Sequence, residues 1–152
     1  RKYCLFLDDN IVFDRDYIIL KRKTVQSSTY YNELNKYFDL IENKFELKVV
    51  IAAHPKSNYN KDFFCGREVY QNKTHELAKD CEFAIAHYST SVAFPVLYKK
   101  PINFIYTNAM VKKFYYNYIL HVGNYYLHLS NHYYYKFLMR FYRRFYYSVF
   151  KE

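Results

Sequence analysis

The residues best suited to chemistry in this chain are hydroxyls and imidazoles placed beside short apolar runs. Ser89-Thr90-Ser91 follows the apolar run 83–86 and precedes a stretch of helical character. A helix start offers unpaired backbone N–H groups and the positive end of its dipole, which together attract an anion. Three hydroxyls add donors for phosphate oxygens, although the same residues also serve as plain helix caps. His54-Pro55-Lys56-Ser57 closes a second apolar run. An imidazole there can donate to a phosphate or a sugar hydroxyl, and Lys56 adds charge. Asn72-Lys73-Thr74 opens another helical stretch, where capping is again the plainer reading. Asp8-Asp9 and Asp14-Arg15-Asp16 are the residue types a divalent cation uses, but acidic loop residues are more often simply solvated. His75 reads as a surface helix residue, and His121, His128 and His132 show no metal-ligand spacing.

Several function classes are excluded by composition. The only two glycines, Gly66 and Gly123, lie far apart. A Walker A loop or a G-x-G-x-x-G turn needs clustered glycines to bring backbone amides onto phosphate. Cys4, Cys65 and Cys81 form no C-x-x-C pair, which argues against a thiolate zinc site and a disulfide framework and for a reducing compartment. With 152 residues, 51% hydrophobic and 24% charged, the chain has the balance of one globular domain. No signal-peptide pattern and no run of about 18 apolar residues is present.

The elements that must position these residues alternate. Residues 3–7 form an apolar run closed by Asp8-Asp9-Asn10, the pattern of a buried strand. Tyr30, Leu34, Tyr37, Phe38, Ile41 and Phe45 share one helical face, with Ser27, Ser28 and Thr29 as N-cap candidates. Residues 47–53 make a second strand, stopped at His54-Pro55 because proline has no N–H for a ladder. A short strand over 67–70, a helix over 74–80, a strand over 83–86, a helix over 92–99 and a strand over 102–106 follow. Strands alternating with helices predict an α/β fold with a parallel sheet covered on both faces. Ligands of such sheets bind beyond the carboxyl ends of the strands, where Asp8-Asp9, His54-Pro55, residues 87–91 and Thr107-Asn108 fall.

These motifs, in this order, resemble a known family. Residues 49–57 are similar to the "HP" motif of bacterial surface-polysaccharide glycosyltransferases. Lys73-Thr74-His75-Glu76-Leu77-Ala78, followed by Ala86-His87-Tyr88-Ser89-Thr90-Ser91, is similar to their "S/T-S" region, and residues 96–102 also fit. Sialyl-, polysialyl- and Kdo-type transferases that use CMP-sugars carry this order. The CDP-glycerol glycerophosphotransferases have a related pattern, but His87 stands where their second motif has Asp. The resemblance implies a Rossmann-like sheet flanked by helices, one half of a GT-B fold, over residues 1–113. It implies His54 as the catalytic residue. It also implies a donor- and phosphate-binding set of Ser89, Thr90, Ser91, Lys73, Thr74, Pro55 and His87. No metal or other cofactor is expected, since the nucleotide-sugar is a substrate. The implied function is binding of a nucleotide-sugar donor, CMP-sugar favoured, in capsular polysaccharide or lipopolysaccharide synthesis. The glycan acceptor would be held by an N-terminal domain that this chain lacks, so the chain alone is expected to be inactive.

Residue 1 is Arg rather than Met, which predicts a fragment or a processed chain. Composition changes near residue 113. Residues 114–152 hold 16 of the chain's Tyr and Phe, and five Lys/Arg against one acid. Lys136, Arg140, Arg143 and Arg144 share one helical face beside Phe137, Leu138, Phe141, Phe145 and Val149. That pattern predicts an aromatic-rich helical tail able to lie on an anionic membrane, giving a cytoplasmic protein peripheral to the inner membrane. A helix packed on the domain, or sequence generated by a frameshift, is the competing reading. A net charge of +9 also suits nucleic acid, but the basic residues of 1–113 are scattered and no nucleic-acid motif appears.

Overall fold

A computed structural model describes residues 2–14, 19 and 25–110. The tail, its helical face and the boundary near residue 113 lie outside the described residues, as does most of 14–16. The elements run β1 (Tyr3–Leu7), α1 (Ser27–Phe45), β2 (Lys48–Ala53), β3 (Val69–Gln71), α2 (Thr74–Asp80) and β4 (Ala84–Ala86). A 3-10 turn (Thr90–Val92), α3 (Ala93–Leu97) and β5 (Ile102–Phe104) complete the order. All strand pairs are parallel and the sheet order is β3-β2-β1-β4-β5. This is the expected α/β Rossmann-like arrangement. The chain builds outward from β1 to β3, then returns to the other side of β1. The direction of winding therefore reverses between β1 and β4, which opens a crevice beyond their carboxyl ends.

Successive strand residues point to opposite faces of the sheet. Cys4, Phe6, Val49, Ile51 and Ile85 pack under α1, against Tyr30, Leu34, Phe38 and Ile41. Phe6 meets Phe38 edge to face at 5.1 Å. Leu5, Leu7, Val50, Ala52, Ala84 and Ala86 face the other way, against Ala78, Cys81 and Val92. The period of two puts each set on its own face, and both faces are buried, as a parallel sheet requires. The alanines of the second face leave room for the short elements α2 and α3 to approach closely.

Besides shifts of one or two residues at the ends of β2, β3 and β4, boundaries differ from expectation in three places. Ser27, Ser28 and Thr29 form the first turn of α1 rather than its cap. Gln26 is the N-cap, with no side-chain cap bond, and Thr29 Oγ1 donates to Gln26 Oε1 at 3.0 Å. The expected helix 92–99 is a 3-10 turn followed by five α-helical residues. Pro95 is tolerated there because its missing N–H falls in the first turn, where it has no intrahelical partner. The helix stops because Lys99 takes a left-handed φ of 54° and the Lys100 N–H returns to the Pro95 carbonyl at 2.8 Å. The third difference is β5, which ends at Phe104 instead of residue 106.

Arg67 fastens the long β2–β3 connection to α1. Its guanidinium donates to Glu42 at 2.7 Å, Asp39 at 2.5 Å, Asn35 Oδ1 at 3.0 Å and the Phe64 carbonyl at 3.1 Å. It also stacks 5.4 Å from the Phe38 ring centroid. Among the described residues no helix is long and apolar enough to cross a membrane.

Candidate functional site

The carboxyl ends of β2, β1 and β4 bring the polar residues together. Pro55 occupies the second position of a turn closed by the Ser57 N–H on the His54 carbonyl at 2.8 Å. Proline's fixed φ suits that position, so the His-Pro pair both ends β2 and reverses the chain. Inside the turn the Lys56 N–H donates to His54 Nδ1 at 3.1 Å. With Nδ1 accepting, the neutral imidazole carries its proton on Nε2. The residue as a whole is half-buried.

Asp8 directly follows β1 and is 4% exposed. Its carboxylate accepts from the Asn10 N–H at 3.2 Å, the His54 N–H at 3.3 Å and Ser57 Oγ at 3.3 Å, and also from the Tyr59 hydroxyl. Burial raises its pKa, and these donors oppose the rise. Asp8 therefore draws the turn of β2 onto the end of β1. Asn10 completes the bend with a left-handed φ of 53°, a conformation Asn tolerates.

On the β4 side, half-buried Asp9 accepts from the Tyr88 N–H at 3.3 Å and from the Ser89 hydroxyl. Burial pushes its pKa up to about 7, with Asp8 adding in the same sense and the Ser89 bond opposing. Ser89 Oγ also accepts the Ser91 N–H at 3.2 Å and so caps the 3-10 turn. Ser89 is buried, Ser91 half-buried and Thr90 exposed. The elements behind them are short, so backbone N–H groups and hydroxyls are what this turn offers an anion, more than a helix dipole.

His87 lies beneath this rim with 0% exposure. Its Nδ1–H donates to the Ile105 carbonyl at 2.7 Å, and its Nε2 accepts from the Tyr30 hydroxyl at 2.9 Å. Burial lowers its pKa to about 4. Of the sequence-derived set it is the most deeply buried, and both of its ring nitrogens are used inside the protein. Lys73 and Thr74 stand at the start of α2, beyond the end of β3. Three strand spacings separate β3 from β4, about 14 Å at about 4.8 Å each, so this pair borders the rim rather than joining its centre. Lys73 Nζ sits 5.8 Å from the Tyr70 ring centroid. Pro55 is exposed, and its carbonyl accepts from Gln71 Nε2 at 2.7 Å.

The donor-binding set drawn from the sequence leaves out Asp8, Asp9, Ser57, Tyr59, Tyr30 and Gln71. The first two already stood out as acids at the carboxyl end of a strand, where ligands of such sheets bind. Nothing local marks the others, whose partners are 14 to 57 residues away in sequence. Among the described residues no group of three or more His, Cys, Asp and Glu is placed to hold a metal. The chain matches no family model, no curated protein and no solved structure.

Proposed function

We propose that this domain binds the nucleotide-sugar donor of a GT-B-type glycosyltransferase of surface-polysaccharide synthesis, with a CMP-sugar favoured. The observation that carries the reading is the meeting of the two motifs on one rim. The His54 turn and the Ser89 turn flank β1 and are tied to adjacent carboxylates, Asp8 and Asp9. His54, through Nε2–H, would donate to the leaving phosphate, and the N–H groups and hydroxyls of residues 89–91 would hold its oxygens. An acceptor hydroxyl attacks the anomeric carbon as the bond from that carbon to the phosphate oxygen breaks. Asp9, with a pKa near neutrality, is suited to exchange a proton with a hydroxyl beside it. The raised pKa of Asp9, about 7, also lessens the repulsion its carboxylate would otherwise exert on a phosphate. The reading places the protein in the cytoplasm at the inner membrane, where a separate acceptor-binding domain would complete the enzyme.

The test is a thermal-shift titration of the full chain with CMP, CDP, UDP and GDP, repeated on a His54→Ala, Ser89→Ala double variant. A bound nucleotide at a hundredfold excess over Kd stabilises by about 2.7 kcal/mol. The expected result is a higher Tm with a cytidine nucleotide, lost in the double variant. A folded chain that responds to none of the four overturns the donor reading. If CDP-glycerol, titrated as a fifth ligand, stabilises the chain and CMP does not, the assignment moves to glycerophosphate transfer.

A further inference from the structure

Gln71 is the last residue of β3, an edge strand, and is exposed. An exposed glutamine at a strand end ordinarily solvates its amide. Here the register pairs Gln71 with Ala53, the last residue of β2, so its side chain leaves the sheet where the His54 turn begins. Its Nε2 reaches the carbonyls of Pro55 at 2.7 Å, Ser57 at 3.0 Å and His54 at 3.4 Å. The amide has two hydrogens, so the two shorter bonds dominate and the third is shared. Asp8 holds the same loop from the other side. It accepts from the His54 N–H, Ser57 Oγ and Tyr59 hydroxyl. The loop's outward carbonyls are thus met by a donor and its outward donors by an acceptor. Between them the loop's geometry places the Lys56 N–H on His54 Nδ1.

We infer that Gln71 is a positioning residue. With Asp8 it clamps residues 54–59 so that His54 is fixed in the tautomer that presents Nε2–H at the rim. The clamp stands on geometry alone. Its consequence for ligand affinity rests on the donor-site reading above. If the clamp is released, the turn opens, Lys56 N–H leaves Nδ1, and the ring populates both neutral tautomers. A phosphate then meets a donor only part of the time.

The experiment uses long-range nitrogen–proton correlation of the His54 ring in the full chain near pH 8.5, where neutral rings are observed. Wild type, Gln71→Ala and Gln71→Glu are compared, with Tm measured for each. Gln71→Glu keeps the shape of the side chain but turns the donor into an acceptor facing three carbonyls, so it separates the bond from the packing. The expected result is one dominant Nε2–H tautomer in wild type and a mixture in both variants, with Tm little changed. CMP or CDP affinity should then fall by the factor by which the Nε2–H population falls, about twofold for an even mixture. A mixed tautomer in wild type, or an unchanged one in both variants, overturns the clamp. If the tautomer loosens while no protein binds nucleotide, the clamp stands and the donor reading falls.

Discussion

His54 and His87 follow β2 and β4, the two strands that flank β1, and their surroundings are opposite. His87 is 0% exposed, uses both ring nitrogens internally, and lies edge-on to Phe6 at 5.6 Å. His54 is half-buried and uses one nitrogen, on its own loop. Sequence alone offers two histidines at equivalent strand ends. The distinction comes from α1, which lays Tyr30 over β4 and seals His87 beneath a buried phenol. Among the described residues no such helix residue covers the turn after β2, where Pro55 turns the chain outward. One histidine therefore builds the floor of the rim, and the other stands at its edge. The carboxylates repeat the contrast. Asp8 is saturated by four donors, whereas Asp9, half-buried, has two.

The largest effect expected from this contrast is at His87. His87→Ala removes a buried ring and leaves the Tyr30 hydroxyl and the Ile105 carbonyl without their partner. The cavity and the unpaired groups together should cost about 3–5 kcal/mol, read as a shifted midpoint in urea unfolding. A loss below about 1 kcal/mol would mean that His87 is not part of the core and would erase the comparison.

A smaller effect concerns pH and sharpens the contrast between the buried groups. Unfolded, His87 titrates at its ordinary 6.5; folded, at about 4. Between those values the unfolded chain binds the more protons, so the His87 contribution to stability rises with pH and is fully present above 6.5. Asp9 runs the other way. Its pKa rises from 3.8 to about 7 on folding, so the folded chain binds the more protons between them and its contribution falls as pH rises. Asp8, also raised, adds in the Asp9 sense. The opposing slopes flatten the wild-type profile from pH 4 to 6.5. Asp9→Asn keeps an acceptor for Tyr88 and Ser89 but removes one opposing slope. Its stability should rise with pH more steeply than wild type by about 1.4 kcal/mol per unit across that window, measured by urea unfolding at several pH values. Parallel profiles for the two proteins would refute the elevated Asp9.

Much of the frame is legible in the sequence because it depends on local periodicity. The runs at 3–7 and 47–53 and the face of residues 30–45 announce themselves through spacing alone, and Pro55 and Pro101 mark stops. The site is less legible because its bonds cross long separations. Asp8 looks like a solvated loop acid until β1 and β2 pair and bring residues 54–59 onto it. Arg67 looks like one basic residue among many until α1 presents Asn35, Asp39 and Glu42 along one side. Gln71 carries no signal at all, since its role depends on the register of a three-residue edge strand. Ser27, Ser28 and Thr29 mislead because the residue types that cap a helix are also tolerated in its first turn.

The most direct test follows the ring resonances of His54 and His87 in the full chain, assigned by single variants, from pH 8 to 4 and then with CDP added. The account predicts that His87 stays neutral until close to pH 4 and is untouched by CDP, while CDP shifts His54. A His87 that titrates near 6.5, or a nucleotide that shifts His87 and leaves His54 unmoved, would contradict it.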